Sequence, residues 1–294
     1  MAVGGKNLNC VDVATLIYNL GIALILLLFH NRIHFWYFEI LINLSILLFI
    51  VFIVSGIGDS SPGMAKFLKG FYPLLFLLAE YQQTSRINRI VFPELLDPLF
   101  QRIEYIIFGF QPAIAFARAF PQPWLVEYMH FSYFTYYFQF PVLGLMLYFR
   151  RGRHVFTDYM FSLCNTFYVC YLIYAFLPVV GAPVFNMNDF SAGGRFTAIM
   201  AVLYERFEVG GAAFPSSHVA VAAVVLYYGI KHFPRGAPLF SVLFLGLTAS
   251  TVYCRYHYTI DVICGAITAV LVVVISRKLL GCLAKREPAG KRRR

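Results

Sequence analysis

Charge is scarce in this chain. Of 294 residues only 13% are Asp, Glu, Lys or Arg, against 60% apolar and 18% aromatic, a balance that excludes an ordinary soluble globular domain. Paired cysteines are missing as well. The six present, Cys10, Cys164, Cys170, Cys254, Cys264 and Cys282, are scattered and show none of the close spacings of zinc or redox motifs, so they read as reduced structural thiols, with no metal and no other cofactor implied. No internal repeat or low-complexity segment stands out, which leaves the architecture to the individual apolar runs. The first of these is long for a signal-peptide core and lacks a small-residue cleavage site after it, so it is expected to stay as a span.

Apolar runs cover 11–30, 36–57, 126–149, 155–180, 214–230, 238–254 and 259–276, and most of them approach the roughly 20 residues needed to cross a bilayer. The fold class expected is all-α: a polytopic transmembrane helical bundle of seven or eight spans with an interfacial helix. The eighth run, FYPLLFLLAEY at 71–81, is short and holds Pro73 and Glu80; spanning, re-entrant and interfacial placements all stay open. From 93 to 123, PELLDPLFQRIEYIIFGFQPAIAFARAFPQP has apolar residues at helical spacing interrupted by Asp97, Arg102, Glu104 and Arg118, the pattern of an interfacial helix. There Asp97 and Glu104 can pair with Arg102 in a solvated network or reach a substrate site. The aromatic string YMHFSYFTYYFQF at 128–140 reads as packing and interface anchoring, or as the wall of a lipid-entry groove. The chain divides into N-terminal spans and an interfacial region (1–125), a helical core with tightly connected spans (126–280) and a basic tail (281–294).

The net charge is +10. Its distribution argues against nucleic acid as the partner. Sixteen Lys and Arg follow residue 125, and thirteen of them, Arg150, Arg151, Arg153, Lys231, Arg235, Arg277, Lys278, Lys285, Arg286, Lys291, Arg292, Arg293 and Arg294, fall on one side of the expected membrane. Only Arg195, Arg206 and Arg255 fall on the other. By the positive-inside rule the basic side is cytoplasmic, which puts the C-terminus there and the loop from 181 to 213 on the extracytoplasmic face. The tail KREPAGKRRR is most simply a topology anchor; the alternative reading is attraction to anionic lipid headgroups, about 1 kcal/mol per basic residue.

Two histidines stand apart from the others. His218 in FPSSH and His257 in YHYTID each begin an apolar segment, and a helix outward from the first with a second returning to the other brings both to the same membrane face. Asp261 lies four residues beyond His257, within reach at i, i+4. In this arrangement His257 can attack phosphorus through a neutral ring nitrogen while Asp261 holds the other nitrogen's proton, and His218 protonates the leaving alkoxide. Pro215 suits the first helical position, so the amides after it, with the Ser216 and Ser217 hydroxyls, can hold the nonbridging oxygens of a phosphate. Arg255 is a candidate charge clamp. The bland readings are that Ser216 caps a helix, that Asp261 caps the last span, and that the histidines anchor at the interface, which is the reading given to His30, His34, His130, His154 and His232. A rival of another class makes His218 and His257 axial ligands of a haem.

FPSSHVAVA followed by STVYCRYHYTIDVICG resembles the type 2 phosphatidic acid phosphatase superfamily, whose last two motifs have the form PSGH and SRxxxxxHxxxD. The resemblance implies that His257 is the nucleophile, Asp261 its orienting acid and His218 the proton donor, with no metal. Ser217 stands where the family has Gly and Thr251 where it has Arg; Ser250 matches, and Arg255 is new. The opening motif KxxxxxxRP is missing, since the chain has no Arg-Pro pair. With HYTIDV and DPLFQRIEYIIFGFQP this is similar to the inositol phosphorylceramide synthase branch, which also lacks that motif. That branch implies a membrane phosphotransferase moving a phospho-alcohol headgroup from a phospholipid to a lipid hydroxyl, with a lipid phosphate or diphosphate phosphatase as the alternative. Arg255, Arg195 and Arg206 are the substitutes for the missing phosphate clamp.

Overall fold

The computed structural model describes residues 7–182, 194–207 and 210–286, so part of the loop at 181–213 and the end of the basic tail lie outside the described residues. Twelve α-helices account for most of the described chain, and its only bridge of β type is an isolated parallel pair, Val179 with Ala212. The helices are α1 (Cys10–Leu28), α2 (Trp36–Phe52), α3 (Gly63–Ile87), α4 (Asp97–Phe108), α5 (Pro112–Ala119), α6 (Pro123–Phe134), α7 (Tyr136–Arg150), α8 (Arg153–Phe176), α9 (Arg195–Phe207), α10 (Ser217–His232), α11 (Ala237–Tyr253) and α12 (Thr259–Arg286).

Among the described residues five segments are long and apolar enough to cross a membrane: Cys10–Leu28, Trp36–Gly56, Arg153–Phe176, Pro234–Tyr253 and Thr259–Cys282. The other three expected runs take a different form. The run at 126–149 is divided into α6 and α7 at Thr135, whose hydroxyl bonds back to the Ser132 carbonyl at 2.6 Å, a local bond that competes with helix continuation. The short run at 71–81 is the middle of α3, which has 25 residues and carries Pro73 inside it. The helix α10 has 16 residues, or about 24 Å at 1.5 Å per residue, against a hydrocarbon core of about 30 Å. It begins at Ser217 with Ser216 as its cap, so Pro215 precedes the cap instead of opening the helix.

The segment expected to form one interfacial helix forms two. Gly109 takes a φ of 78° as the C-cap of α4, a left-handed conformation that costs glycine little, and Pro112 opens α5.

At the centre lies α10, surrounded by α7, α8, α11 and α12. Val219, Ala220, Val221, Ala222, Val224 and Val225 are all buried, so the helix is apolar around its circumference, as a helix enclosed by others has to be. Its small side chains let the neighbours come close. Tyrosines fill the remaining core and use their hydroxyls: Tyr159 donates to the Phe140 carbonyl at 2.7 Å, Tyr228 to Asp158 at 3.0 Å and Tyr253 to Phe120 at 2.6 Å. Buried phenols bonded this way avoid the cost of an unpaired polar group.

The N-terminal helices are tied on by buried polar pairs. A capping box closes α1, with the Asn9 side chain accepting from the Val11 and Asp12 amides and the Asp12 carboxylate accepting from the Asn9 amide. Tyr72 of α3 donates to Asp12 at 2.9 Å and Asn19 to Glu80 at 2.8 Å, while Arg86 pairs with Glu39 of α2.

Candidate active site

Tight backbone contacts bring the start of α10 and the start of α12 together. The Ser216 amide donates to the Asp261 carbonyl at 3.0 Å. Close approach depends on Gly265, one turn further along α12, where an added Cβ meets the Ser216 carbonyl oxygen at 2.4 Å. A second close approach lies at Gly181, whose φ is 130° and where a Cβ meets the Tyr256 carbonyl oxygen at 2.5 Å.

His257 lies in the short loop between α11 and α12 and is held by its own amide, which donates to the Thr251 carbonyl at 3.1 Å. Asp261 sits in the first turn of α12, where the helix dipole favours a negative charge. Its Oδ2 accepts from the Tyr258 amide at 2.9 Å and faces His257 Nδ1 at 3.5 Å, the outer edge of hydrogen-bond range. The His257 Nε2 atom lies 3.3 Å from His218 Nδ1. The expected triad is therefore assembled: Asp261 and His257 are buried, and His218 is partly buried at the first turn of α10.

The serines and arginines are placed less simply. Ser216 is buried and its hydroxyl caps α10 by accepting from the Val219 amide at 3.3 Å. The Ser217 amide donates to the Tyr174 hydroxyl at 3.1 Å, and that hydroxyl donates to the Pro215 carbonyl at 2.8 Å. Three amides at this helix start, those of Ser216, Ser217 and Val219, thus have protein partners, which narrows what the cradle can offer a phosphate. Arg255 is partly buried on the α11–α12 loop, two residues before His257, in a left-handed conformation with φ 60°. Arg195 is exposed at the first residue of α9 and Arg206 is exposed near its end; among the described residues no hydrogen bond or ion pair joins either to the histidines. The α9 helix is nonetheless tied to the site. Glu127 of α6 caps it through the Gly194, Phe196 and Thr197 amides, and Tyr204 stacks on Tyr256 with ring centroids 5.3 Å apart.

Sequence reasoning missed two residues and left the role of two more open. Tyr133 of α6 places its hydroxyl 2.9 Å from His218 Nε2, and the Tyr136 ring lies tilted against the same imidazole with centroids 4.4 Å apart; their spacing in YMHFSYFTYY gives no sign of it. The other two are Asp97 and Glu104 of α4. Neither pairs with Arg102 in a solvated network: Arg102 is exposed and Glu104 is fully buried. Asp97 accepts from the Val180 and Gly181 amides and from the Tyr258 hydroxyl at 3.2 Å. Glu104 accepts from the Thr259 amide at 2.5 Å and the Ile260 amide at 3.3 Å, at the N-terminus of α12. Burial pushes the Glu104 carboxyl above the usual range, against the pull of those amides, and burial also raises the Tyr258 phenol. Two acids of α4 therefore clamp the loop that carries His257. Their signal in the sequence was an acid seven residues from another acid on an otherwise apolar helix, which does not say what lies opposite.

A helical bundle with several helices long and apolar enough to cross a membrane, and a His, His and Asp set gathered at the starts of α10 and α12, defines a class, a multi-pass membrane protein with a candidate site at one end of the bundle. The family model described as "PAP2 superfamily" matches residues 102–275, a stretch that begins in α4 and includes His218, His257, Asp261 and Glu104. The chain belongs to the PAP2 superfamily. It is also 34% identical over 149 residues to the phosphoinositol dihydroceramide synthase of Bacteroides thetaiotaomicron, a match covering 45% of this chain and 49% of that protein. The chain thus spans about half the length of the curated relative it matches. No solved structure matches it.

Proposed function

We propose that this protein is a membrane phosphotransferase that moves a phospho-alcohol headgroup from a phospholipid to a lipid hydroxyl through a phosphohistidine on His257. The observation that carries the reading is the contact of His257 with His218 on one side and Asp261 on the other. In the first half-reaction the His257 Nε2 lone pair forms a bond to phosphorus and the ester bond to the leaving alcohol breaks. Asp261 stabilises the proton on Nδ1 and the positive charge that grows on the ring, while His218 delivers a proton to the departing oxygen. In the second half a lipid hydroxyl gives its proton back to His218 and attacks phosphorus, releasing His257.

Transfer is favoured over hydrolysis on two grounds. The relative's printed name is that of a synthase, and His257 is only 3% exposed, in a site that limits water. The absence of an Arg-Pro pair fits a diester donor, which has one negative charge fewer than a phosphate monoester and so asks less of a cationic clamp. The basic helix ends support an extracytoplasmic site. Arg151 lies over the Phe233 ring and Arg277 over Tyr227, so the α7–α8 turn, the end of α10 and the end of α12 gather their cations at the bundle end away from His257, and the positive-inside rule makes that end cytoplasmic.

The test uses purified protein in lipid vesicles with a headgroup-labelled phospholipid, with and without ceramide or diacylglycerol as acceptor. The expected result is label in the acceptor lipid. If label enters only water-soluble phosphate or phospho-alcohol, and phosphatidic acid turns over faster than any diester, the protein is a lipid phosphatase.

A further inference from the structure

We propose that the groove between α10 and α12 binds one anionic phospholipid from the leaflet opposite His257, its acyl chain along the two helices and its phosphate beside Arg277 and Lys278. Both helices start together where the Ser216 amide meets the Asp261 carbonyl. Further along, Ala223 and Tyr227 of α10 and Ala269 and Val273 of α12 line a cavity of about 530 Å³. Alanine on each side leaves room that a larger side chain would fill. The shorter helix widens the gap: α10 has 16 residues and α12 has 28, so the last turns of α12 run on with no α10 beside them. The cations of this groove and the histidines of the site occupy opposite ends of the pair, so a lipid bound here buttresses the two helices and takes no part in the chemistry.

The change of polarity along the groove defines the occupant. Through Val273 and Val274 the α12 wall is apolar, and the next residues to line it are Arg277 and Lys278, both exposed. Arg277 stands about 27 Å along the helix axis from Thr259, against a hydrocarbon core of about 30 Å. It therefore lies at the membrane boundary opposite His257. A phospholipid of that leaflet has the same order as the groove, with its tails toward the midplane and its phosphate at the boundary.

The charges at its mouth call for an anion. The Arg277 guanidinium lies 5.9 Å from the centre of the Tyr227 ring and the Lys231 ammonium 5.7 Å from it, so one ring of the groove wall gathers two cations. Two cations drawn together this way repel each other until a negative group joins them. Among the described residues none of Lys231, Arg277 and Lys278 is within ion-pair distance of a carboxylate. Asp158 of α8 is the acid that shares the field of Lys231 and Arg277, and it faces His154 Nδ1 at 3.6 Å; one carboxylate leaves the three cations with a net positive charge. A lipid phosphodiester supplies the missing negative charge, as at other basic pockets between membrane helices. A zwitterionic lipid brings a cation of its own to the same place and gains less.

The experiment titrates the purified protein in detergent with phosphatidylglycerol and with phosphatidylcholine of the same chains, and reads bound lipid by native mass spectrometry. The parent is expected to take up phosphatidylglycerol with an affinity about tenfold above that for phosphatidylcholine. Replacing both cations, Arg277→Gln with Lys278→Gln, should remove that preference. Val270→Phe, which fills the groove from an exposed position, should weaken the binding of both lipids. Arg235→Gln is the control, a cation on the α10–α11 turn at the same bundle end and outside the groove, and it should leave the preference intact. Equal affinity of the parent for the two lipids overturns the proposal, as does a preference that survives the double variant or that Arg235→Gln reduces by as much. Thermal unfolding of the parent decides the matter should the variants fail to fold. A ligand of the folded state raises the midpoint with its concentration, so phosphatidylglycerol should raise it more than phosphatidylcholine does, and equal shifts reject the site.

Discussion

Substitution of Gly265 by alanine should disable the protein without unfolding it. The new Cβ meets the Ser216 carbonyl oxygen at 2.4 Å, where ordinary contact begins at 3.4 Å. That neighbour is backbone and cannot rotate away, so α12 has to retreat from α10 by roughly 1 Å, at an overpacking cost of about 1–3 kcal/mol. Asp261 stands one turn before Gly265 and shares the contact through its carbonyl, which accepts the Ser216 amide. The retreat therefore lengthens a His257–Asp261 separation that is already 3.5 Å, and a His218–His257 separation of 3.3 Å. A displacement of this size costs on the order of 100-fold in rate, about 2.7 kcal/mol in the barrier. The assay pairs kcat on a labelled phospholipid with thermal unfolding in detergent. Gly281→Ala is the control, since nothing lies within 4 Å of a Cβ at that position of the same helix; it should leave kcat unchanged. A folded Gly265→Ala protein with the parent's kcat would refute the idea that close helix approach sets the distances of the site.

Three further expectations follow from the geometry. Removing the nucleophile with His257→Ala, or its orienting acid with Asp261→Asn, should each lower turnover by about 10⁴-fold, and near-parental activity of either folded variant speaks against a phosphohistidine. Because burial holds the Glu104 carboxyl above the ordinary glutamate range, its contribution to stability is present in full at a pH below the unfolded-state value and is lost as pH rises through the folded-state value. Thermal midpoints of the parent should fall over that window relative to those of Glu104→Gln, which cannot ionise, and parallel curves count against the assignment. In a cysteine-depleted background, a cysteine replacing Arg195 should react with a membrane-impermeant thiol reagent in intact cells while one replacing Gly152 should not; the reverse pattern puts the site in the cytoplasm.

How much of this was legible beforehand follows from the range of each signal. Hydropathy is a running property of the chain, so the apolar runs at 11–30, 155–180, 238–254 and 259–276 announce their helices. The spacing of His257 and Asp261 is equally local, and it brings the two side chains together wherever α12 starts. The breaks were harder to see. Thr135 interrupts a run that is apolar on both sides, and the decision depends on a hydroxyl bonding back to Ser132. At FPSSH the motif was recognisable, yet the cap falls on Ser216 and not on Pro215, because Asp261 and Tyr174, distant in the chain, hold the amides that a free helix start would have left open.

By itself the sequence determined that this is a helical membrane protein, since hydropathy and periodicity are readable within a few turns; its motifs carried the resemblance to the superfamily, and i, i+4 spacing put Asp261 within reach of His257. Only the tertiary structure decided what surrounds that centre. Tyr133 meets His218 across 85 residues of chain and Glu104 meets Thr259 across 155. Contacts of that range come from the angles and distances at which helices pack, here set by α4 lying over the start of α12 and by glycines that admit a backbone at close quarters. A carboxylate or a phenol has the same letter in the sequence whether it faces water or closes a buried network, and only its neighbours in space decide which.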